Sequence, residues 1–323
     1  MPEVDPASVA RFTASLRALR PGDGKLGLAV SGGPDSLALL LLAAAALPGS
    51  IEAATVDHGL RTESAAEAAM VARICADLGV PHIILNVTVA PGNVQSEARS
   101  ARYAALAEWI AERGLAALAT AHHADDQAET LLLRLNRASG VAGLAGARAR
   151  GTVPGTDLPL LRPLLGWRKA ELAALVEAAG IAAAQDPSNA DDRFDRARLR
   201  KALAGAGWLD IPAVAASAAH LADADAALDW AARREWAECV SAEGLGVTYR
   251  PQAPRAIALR VLALIVTRLD GEAPRGGAVA RLFDELVAGR TASIGNLVAR
   301  AGRAGWSFTK APARRGISKD PPV

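Results

Sequence analysis

The most constraining feature of this sequence is a regular alternation of strand-like and helix-like segments in its first half. The strand-like runs are LGLAV, IEAATVD (51–57), HIILNVTV (82–89) and LAALATAHH (115–123). The helical patterns run from about Ser36 and over 64–79, 96–114 and 124–137. This alternation predicts an α/β fold, a parallel sheet with helices on both faces. In such sheets ligands bind at the carboxyl ends of the strands.

The second half of the chain has a different character. Residues 138–166 are rich in Gly and Pro and predict loops, and a helix follows over 167–180. Longer helical patterns then cover 212–240, 254–269 and 277–289, with a short hairpin after them. We therefore predict a first domain at 1–207, a smaller, mainly helical domain at 208–310 and a flexible basic tail at 311–323.

Composition sets broad limits on this chain of 323 residues. A hydrophobic content of 51% allows a sizeable core, and a net charge of +2 neither demands nor excludes a nucleic-acid partner. Cys75 and Cys239 have no zinc-site spacing and predict buried thiols in a reducing compartment. The longest apolar run, LALLLLAAAALPG, is shorter than the ~20 residues that span a bilayer. We expect a soluble, cytoplasmic protein with no membrane partner.

The stretch SGGPDS (31–36) lies between the first strand and the first helix of the alternating region. Two glycines allow close backbone approach to a ligand, the N–H groups form an anion nest, and the helix start adds positive potential. The hydroxyls of Ser31 and Ser36 suit a phosphate, and Asp35 suggests magnesium that bridges to pyrophosphate. The stretch lacks the lysine of a Walker A loop. The alternative is an ordinary turn with a Ser or Asp helix cap.

The stretch SGGPDS resembles the SGGxDS signature of the PP-loop ATP pyrophosphatases, which cleave ATP between the α and β phosphates. Four further stretches resemble the tRNA(Ile)-lysidine synthetase family, in the same order. They are VDHGLRTESAAEA (56–68), NVQSEARSARY (93–103), AHHADDQAETLLLRL (121–135) and DPSNADDRFDRARLR (186–200). There are two departures: RASG (137–140) stands where RGSG is more usual, and Ala197 where asparagine is more usual.

The resemblance implies a reaction on the wobble cytidine in the CAU anticodon of an isoleucine tRNA. ATP adenylates the C2 oxygen of the cytosine, and the amine of free L-lysine then attacks C2 to give lysidine. The implied substrates and cofactors are ATP, Mg²⁺, tRNA(Ile) and L-lysine. The first domain would bind the nucleotide, the helical domain would contact tRNA, and a homodimer stays open.

The resemblance also implies site residues. The expected ATP-binding residues are Ser31, Gly32, Gly33, Pro34, Asp35, Ser36, Asp57 and His58. Asp35, Asp125 and Asp126 are expected to be catalytic, with Asp35 and Asp126 as magnesium ligands. The base that deprotonates lysine stays open among Asp125, Asp126 and Glu129. Alternatively, the paired aspartates only complement a helix dipole.

Histidines and arginines complete the predicted site. His122 and His123 are adjacent in a strand-like run and should point to opposite faces, so at most one faces the site. The expected contacts to phosphate or tRNA are Arg99, Arg102, His122, His123, Arg196 and Arg200. The alternative for Arg99 and Arg102 is a solvated helix face. Arg196 and Arg200 belong to the cluster RFDRARLRK (193–201), which Asp192 and Asp195 could instead make a salt-bridged face.

Two other functions compete with this interpretation. One is a different PP-loop enzyme, either a tRNA thiolase or a small-molecule amide-forming synthetase. A thiolase would need cysteines for sulfur transfer or an iron–sulfur cluster, and the positions of Cys75 and Cys239 suit neither. The other is a nucleotide-binding regulatory protein without turnover.

Overall fold

The computed structural model describes residues 4–20, 22–59, 64–88, 94–184, 195–244 and 246–311. The chain divides into two compact units, residues 1–222 and 223–323. We placed the division after residue 207, whereas the structure places it after Ala222, inside a helix that covers Ile211–Cys239. The sequence gives no signal there because the helical pattern runs uninterrupted across the division.

The first unit contains an α/β sheet and its helices. Its helices are α1 (Pro6–Leu19), α2 (Pro34–Ala46), α3 (Ser64–Asp77), α4 (Val94–Glu112), α5 (Ala124–Leu135), α6 (Val141–Leu144), α7 (Lys169–Ala178), α8 (Asp195–Ala204) and the start of α9 (Ile211–Cys239). Its strands are β1 (Leu26–Ala29), β2 (Ile51–Asp57), β3 (His82–Asn86), β4 (Ala117–Ala119), β5 (Arg150–Thr152) and β6 (Pro159–Leu161).

The strand order in this sheet is β3-β2-β1-β4-β6-β5. All neighbours are parallel except β5, which pairs antiparallel with β6. Leu28 of β1 lies between Ala53 of β2 and Ala119 of β4. On one side of β1 the sheet continues with β2 and β3, and on the other side with β4, β6 and β5. A crevice forms at the carboxyl ends of β1 and β4, where such folds bind ligands.

Helices cover both faces of the sheet, which confirms the predicted fold class. One face packs against α1, α2, α3 and α7 in a single apolar core. Helix α2 is buried all round from Ser36 to Ala44, as expected of a helix with no polar face. The other face packs against Trp109 and Ile110 of α4. Gly27 permits this close approach, because a Cβ there would lie 2.2 Å from Ile110 Cδ1.

The region 138–166, which we predicted as loops, contains α6 and two strands. Strand β6 extends the parallel sheet beside β4, with Leu160 opposite Leu118. Sequence periodicity missed β5 and β6 because each has only three residues and Gly or Pro lies beside them. Other predicted bounds were too long: β3 ends at Asn86 and β4 covers only Ala117–Ala119.

The second unit contains the rest of α9, two further helices and a sheet. The elements are β7 (Val240–Glu243), β8 (Gly246–Tyr249), α10 (Arg255–Asp270), α11 (Gly276–Val287), β9 (Thr291–Ile294), β10 (Leu297–Gly302) and β11 (Gly305–Lys310). The five strands form an antiparallel sheet in the order β7-β8-β11-β10-β9. The predicted helices and the hairpin β10–β11 are confirmed.

The other three strands of this sheet were not predicted, because each has only four residues. Helix α10 supplies much of the core of this unit, with Val261, Leu262 and Ile265 buried beside Tyr249 and Phe308. The predicted flexible tail lies outside the described residues from 312 onward. Among the helices of the described residues, none has the length and apolar character needed to cross a membrane.

Candidate active site

The turn 31–36 lies at the carboxyl end of β1 and leads into α2. Gly32 has a φ of +85°, and a Cβ there would lie 3.2 Å from Met70 Cε. Ser36 braces the turn: its hydroxyl accepts a hydrogen bond from the Ser31 N–H (3.1 Å) and donates one to the Gly33 carbonyl (2.9 Å). Ser31 is exposed at the mouth of the turn.

The amino end of α2 is open to an anion. The helix begins at Pro34 after Gly33, and no side chain of the described residues caps it. The Ser or Asp cap of the alternative interpretation is therefore not formed within the described part of the chain. Uncapped N–H groups at a helix start favour a negatively charged ligand.

An acidic side of the crevice comprises Asp35, His123, Asp125, Asp126, Glu129 and Arg200. His123 is 3% exposed, and its Nε2 lies 3.5 Å from both Asp35 Oδ2 and Asp126 Oδ2. Burial alone would lower the pKa of His123, but Asp35, Asp126 and Asp125 outweigh it and raise the pKa. Asp35 Oδ1 is buried and has no hydrogen-bond partner among the described residues.

His123 and Asp126 also form the amino cap of α5. The Asp126 N–H donates to His123 Nδ1 (3.4 Å), and the His123 N–H donates to Asp126 Oδ2 (3.2 Å). Nδ1 is therefore an acceptor, which leaves the Nε2 proton facing Asp35 and Asp126. The cap fixes the ring between the two carboxylates.

Glu129 and Arg200 complete the acidic side. Arg200 Nε donates to Glu129 Oε1 at 2.6 Å, and Arg200 Nη2 lies 3.8 Å from Asp126 Oδ1. The Glu129 side chain is 6% exposed, and its Oε2 is buried without a hydrogen-bond partner in the described part of the chain. The structure thus places Arg200 among carboxylates.

Arg196 takes a different position from Arg200. It is exposed, and its Nη2 donates to Thr130 Oγ1 at 3.2 Å. Asp195 pairs with Arg137 and Arg198, each at 2.5 Å, so the salt-bridged alternative holds for this part of α8. Residue 192 lies outside the described residues.

Asp125 is held by the amino end of α7. Its carboxylate accepts hydrogen bonds from Arg168 Nε (3.2 and 3.3 Å), Arg168 Nη2 (3.2 Å) and the Lys169 N–H (2.7 Å). Burial would raise the pKa of Asp125, but these bonds and the Arg168 charge lower it. The carboxylate is therefore occupied by the amino end of α7.

A basic side combines Arg99, Arg102 and Tyr103 of α4 with His58, His122 and Arg162, which lie in the segments after β2, β4 and β6. The Arg99 and Arg102 guanidinium carbons lie 5.1 and 5.6 Å from the Tyr103 ring centroid. Arg162 Nη1 donates to the Arg148 carbonyl (2.7 Å), and its Nε is buried without a partner among the described residues. Burial lowers the pKa of both Arg102 and Arg162.

His122 belongs to this basic side, opposite to His123. Burial, followed by the charge of Arg162, lowers the pKa of His122 to about 4, against a weaker opposing effect of Asp126. His122 Nδ1 lies 3.0 Å from Thr120 Oγ1. The two neighbouring histidines therefore have different surroundings, but both lie in the segment between β4 and α5, so strand alternation is not the cause.

Asp57 is the last residue of β2, and His58 follows it. Asp57 accepts from the Ser64 hydroxyl (2.6 Å) and the Gly59 N–H (2.9 Å), and these bonds lower its pKa. Asp57 thus connects the end of β2 to Ser64, the first residue of α3. Burial and then Arg102 lower the pKa of His58, whose Nδ1 is buried with no partner among the described residues.

The sequence missed Arg162 and Arg168 as site residues and named Glu129 only as a base. Arg162 follows β6 and so lies at the carboxyl edge of the sheet. This position was not predicted because the strand itself was not predicted. The first unit also contains two cavities, one of which borders the turn 31–36 at Pro34. One, of about 460 Å³, is lined by Pro34 and 173–184, and the other, of about 330 Å³, by α1 and Leu47. Within the described residues, no three His, Cys, Asp or Glu side chains form a metal site.

Comparison with known proteins supports the family resemblance that the sequence motifs indicate. A family described as the PP-loop domain matches residues 6–206. The chain is 51% identical to tRNA(Ile)-lysidine synthase from Novosphingobium aromaticivorans, over 95% of each chain. It is 41% identical to the enzyme of that name from Zymomonas mobilis, over 91% of each chain.

A solved structure shares the fold at low sequence identity. It is the U34-tRNA thiolase NcsA from Methanococcus maripaludis, with a TM-score of 0.53 and 18% identity, over 66% of this chain and 76% of that one. The resemblance seen in the sequence is confirmed at the level of the family. The chain belongs to the tRNA(Ile)-lysidine synthase family of PP-loop proteins.

Proposed function

We propose that this protein forms lysidine at the wobble cytidine of the CAU anticodon of tRNA(Ile), with ATP and free L-lysine as the other substrates. The observation that carries the proposal is the convergence of the uncapped turn 31–36 with an acidic and a basic side at one edge of the sheet. The C2 oxygen of the cytosine attacks the α phosphate and pyrophosphate leaves. The lysine amine then attacks C2, and AMP leaves.

The turn 31–36 binds the ATP phosphates in this proposal. The left-handed Gly32 and the uncapped start of α2 present backbone N–H groups to an anion. Ser31 is exposed at the mouth and donates its hydroxyl, while Ser36 holds the shape of the turn. Such fixed donors stabilise the charge that develops as pyrophosphate departs.

Asp35 and Asp126 fit a magnesium ion. Asp35 Oδ1 is buried and has no hydrogen-bond partner among the described residues, which suits it as a ligand for a cation. Magnesium commonly takes one or two carboxylates and completes its shell with phosphate and water oxygens. When bound, the ion neutralises phosphate charge. His123, between the two carboxylates, holds them apart and limits their mutual repulsion.

The acidic side also suits the amine of lysine. A free amine has a pKa of about 10.4, so it arrives as an ammonium and must lose a proton before attack. The buried Oε2 of Glu129 and the carboxylate of Asp126 are available to accept that proton. Asp125 is not, since Arg168 and Lys169 occupy it.

The basic side would contact the phosphates of tRNA or ATP. Three guanidinium groups, on Arg99, Arg102 and Arg162, surround a histidine whose pKa of about 4 keeps it neutral. Guanidinium groups bind phosphate oxygens through charge-assisted hydrogen bonds. The second unit is proposed as a further tRNA contact. The cytoplasmic location and a homodimer remain predictions.

The test measures transfer of labelled lysine to RNA. Purified protein is mixed with ATP, Mg²⁺, labelled L-lysine and an unmodified CAU-anticodon tRNA(Ile) transcript. We expect label in precipitated RNA that requires ATP, with release of pyrophosphate and AMP. A transcript with uridine at the wobble position is the matched control and should stay unlabelled. Label that is independent of ATP, or no label at all, would contradict the proposal.

A further inference from the structure

The occupied carboxylate of Asp125 belongs to a polar connection between α5 and α7. The Ala124 N–H donates to the Trp167 carbonyl at 2.8 Å, one residue before Arg168. Arg168 and the Lys169 N–H then hold both oxygens of Asp125. Two consecutive residues at the start of α5 are thereby tied to residues 167–169.

The connection continues to α1. Glu171 Oε2 accepts from the Arg168 N–H (2.7 Å), and Glu171 Oε1 accepts from Arg11 Nη1 (2.8 Å). Arg11 Nη2 donates to the Gly166 carbonyl (2.6 Å), and its guanidinium lies 4.0 Å from the Trp167 ring centroid. The amino end of α7 is therefore fixed on both sides and offers Asp125 a rigid support.

The other end of the connection reaches the reacting groups. Asp125 Oδ2 lies 3.7 Å from His123 Nδ1, and His123 lies between Asp35 and Asp126. A cation that bound Asp125 would have to displace an arginine and a backbone N–H. Asp125 can therefore influence the site through the placement of His123 and Asp126 more readily than by direct contact.

We propose that Asp125 is a positioning residue, which uses Arg168 and the amino end of α7 to hold the first turn of α5, and is neither a magnesium ligand nor the proton acceptor for lysine. This inference rests on the proposed function for its activity assay. Small displacements of reacting groups have large kinetic effects, about a hundredfold for 1 Å.

The experiment compares D125N, R168A and the double variant. We expect kcat to fall about tenfold or more in each single variant, with the KM for ATP little changed. The double variant should be no slower than the worse single one, because one connection is lost in all three. R168K should recover part of kcat. The Mg²⁺ concentration for half-maximal activity should stay at the wild-type value.

The matched control is E52Q, which alters another carboxylate–arginine pair. Glu52 accepts from Arg113 Nε (2.8 Å) and Nη2 (3.1 Å) at the amino end of β2, away from the site. It should keep wild-type kcat. Urea unfolding gives a readout that does not depend on activity. The double variant should lose less free energy of unfolding than the sum of the losses in D125N and R168A.

Two results would overturn the inference: D125N far slower than R168A with a raised Mg²⁺ requirement, or single effects that multiply in the double variant together with additive losses of stability. Failure of the wild-type enzyme to label tRNA is a different outcome. It would refute the proposed function, and the unfolding cycle would still decide whether the Asp125–Arg168 connection exists.

Discussion

His122 and His123 are neighbours in the chain, yet they belong to opposite sides of the crevice. Burial and then the charge of Arg162 lower the pKa of His122 to about 4, whereas at His123 the carboxylates of Asp35, Asp126 and Asp125 outweigh burial and raise the pKa. Burial lowers the pKa of both rings, so the sign of the surrounding charge makes the difference. The comparison teaches that the site separates a region for anions from a region for cations across one peptide unit.

The largest effect should follow loss of Asp35 from the acidic side. Asp35→Ala removes the carboxylate whose buried Oδ1 has no hydrogen-bond partner within the described residues, and we expect lysine transfer to fall about 100- to 1,000-fold. Asp23→Ala, exposed near the amino end of β1, is the control. Retention of substantial activity in Asp35→Ala would remove Asp35 from the catalytic set.

Glu129→Gln tests whether the acidic side serves the amine. We expect kcat/KM for lysine to fall about ten- to a hundredfold, because a charged acceptor becomes a neutral one. The KM for ATP should change little. Glu52→Gln alters a similarly buried carboxylate, 7% exposed, whose partner Arg113 is exposed, and it should keep wild-type kinetics. An equal rise in the KM of both substrates would argue against a separate lysine region.

Arg102→Ala and Arg162→Ala test the basic side. Each loses charge-assisted contacts, and we expect kcat/KM to fall about tenfold for the substrate whose phosphate is bound. Kinetics with ATP and tRNA varied in turn, at two salt concentrations, identify that substrate. Arg150→Ala, exposed on the edge strand β5, is the control. If neither variant differs from this control, the phosphate role of the basic side is wrong.

The smallest effect concerns pH. A folded-state pKa of about 4 for His122, below the ordinary 6.5, means that the unfolded chain binds the proton more readily. Its contribution to stability is present above pH 6.5 and is lost as the pH falls toward 4. Between pH 7 and 5 we expect His122 to account for about 2 kcal/mol of lost stability, which His122→Gln should abolish.

Urea unfolding of both proteins at three pH values measures this difference. Substitution of the exposed His220 by Gln controls for the loss of an imidazole. The same pH dependence in wild type and His122→Gln would show that the arginines do not hold His122 neutral.

Long elements were predictable from the sequence and short ones were not. Helices α3 and α10 appear where their apolar periodicity predicts them, and β2 has the predicted bounds. Strands β5 and β6 have three residues each, too few for a repeating pattern. The same limit hid three of the strands in the second unit, where pairing with distant residues decides the conformation.

The candidate site divides in the same way. The motifs that follow β1 and β4 were found because a strand, a polar cluster and a helix follow each other closely. Arg162 and Arg168 were missed because their relevance depends on β6 and α7 packing beside residues about forty positions away. Asp125 was named because it is next to Asp126 in the sequence, and only its contacts in the structure show that Arg168 and Lys169 hold it.

The sequence by itself determined the parallel sheet, the turn 31–36 and the residue types that surround it, because strand and helix periodicity and glycine conformation are local properties. Tertiary structure alone decided which histidine faces arginines, which aspartate is occupied by Arg168, and where β6 places Arg162. Those outcomes depend on charge, burial and hydrogen-bond geometry between segments far apart in the chain, and no local pattern encodes them.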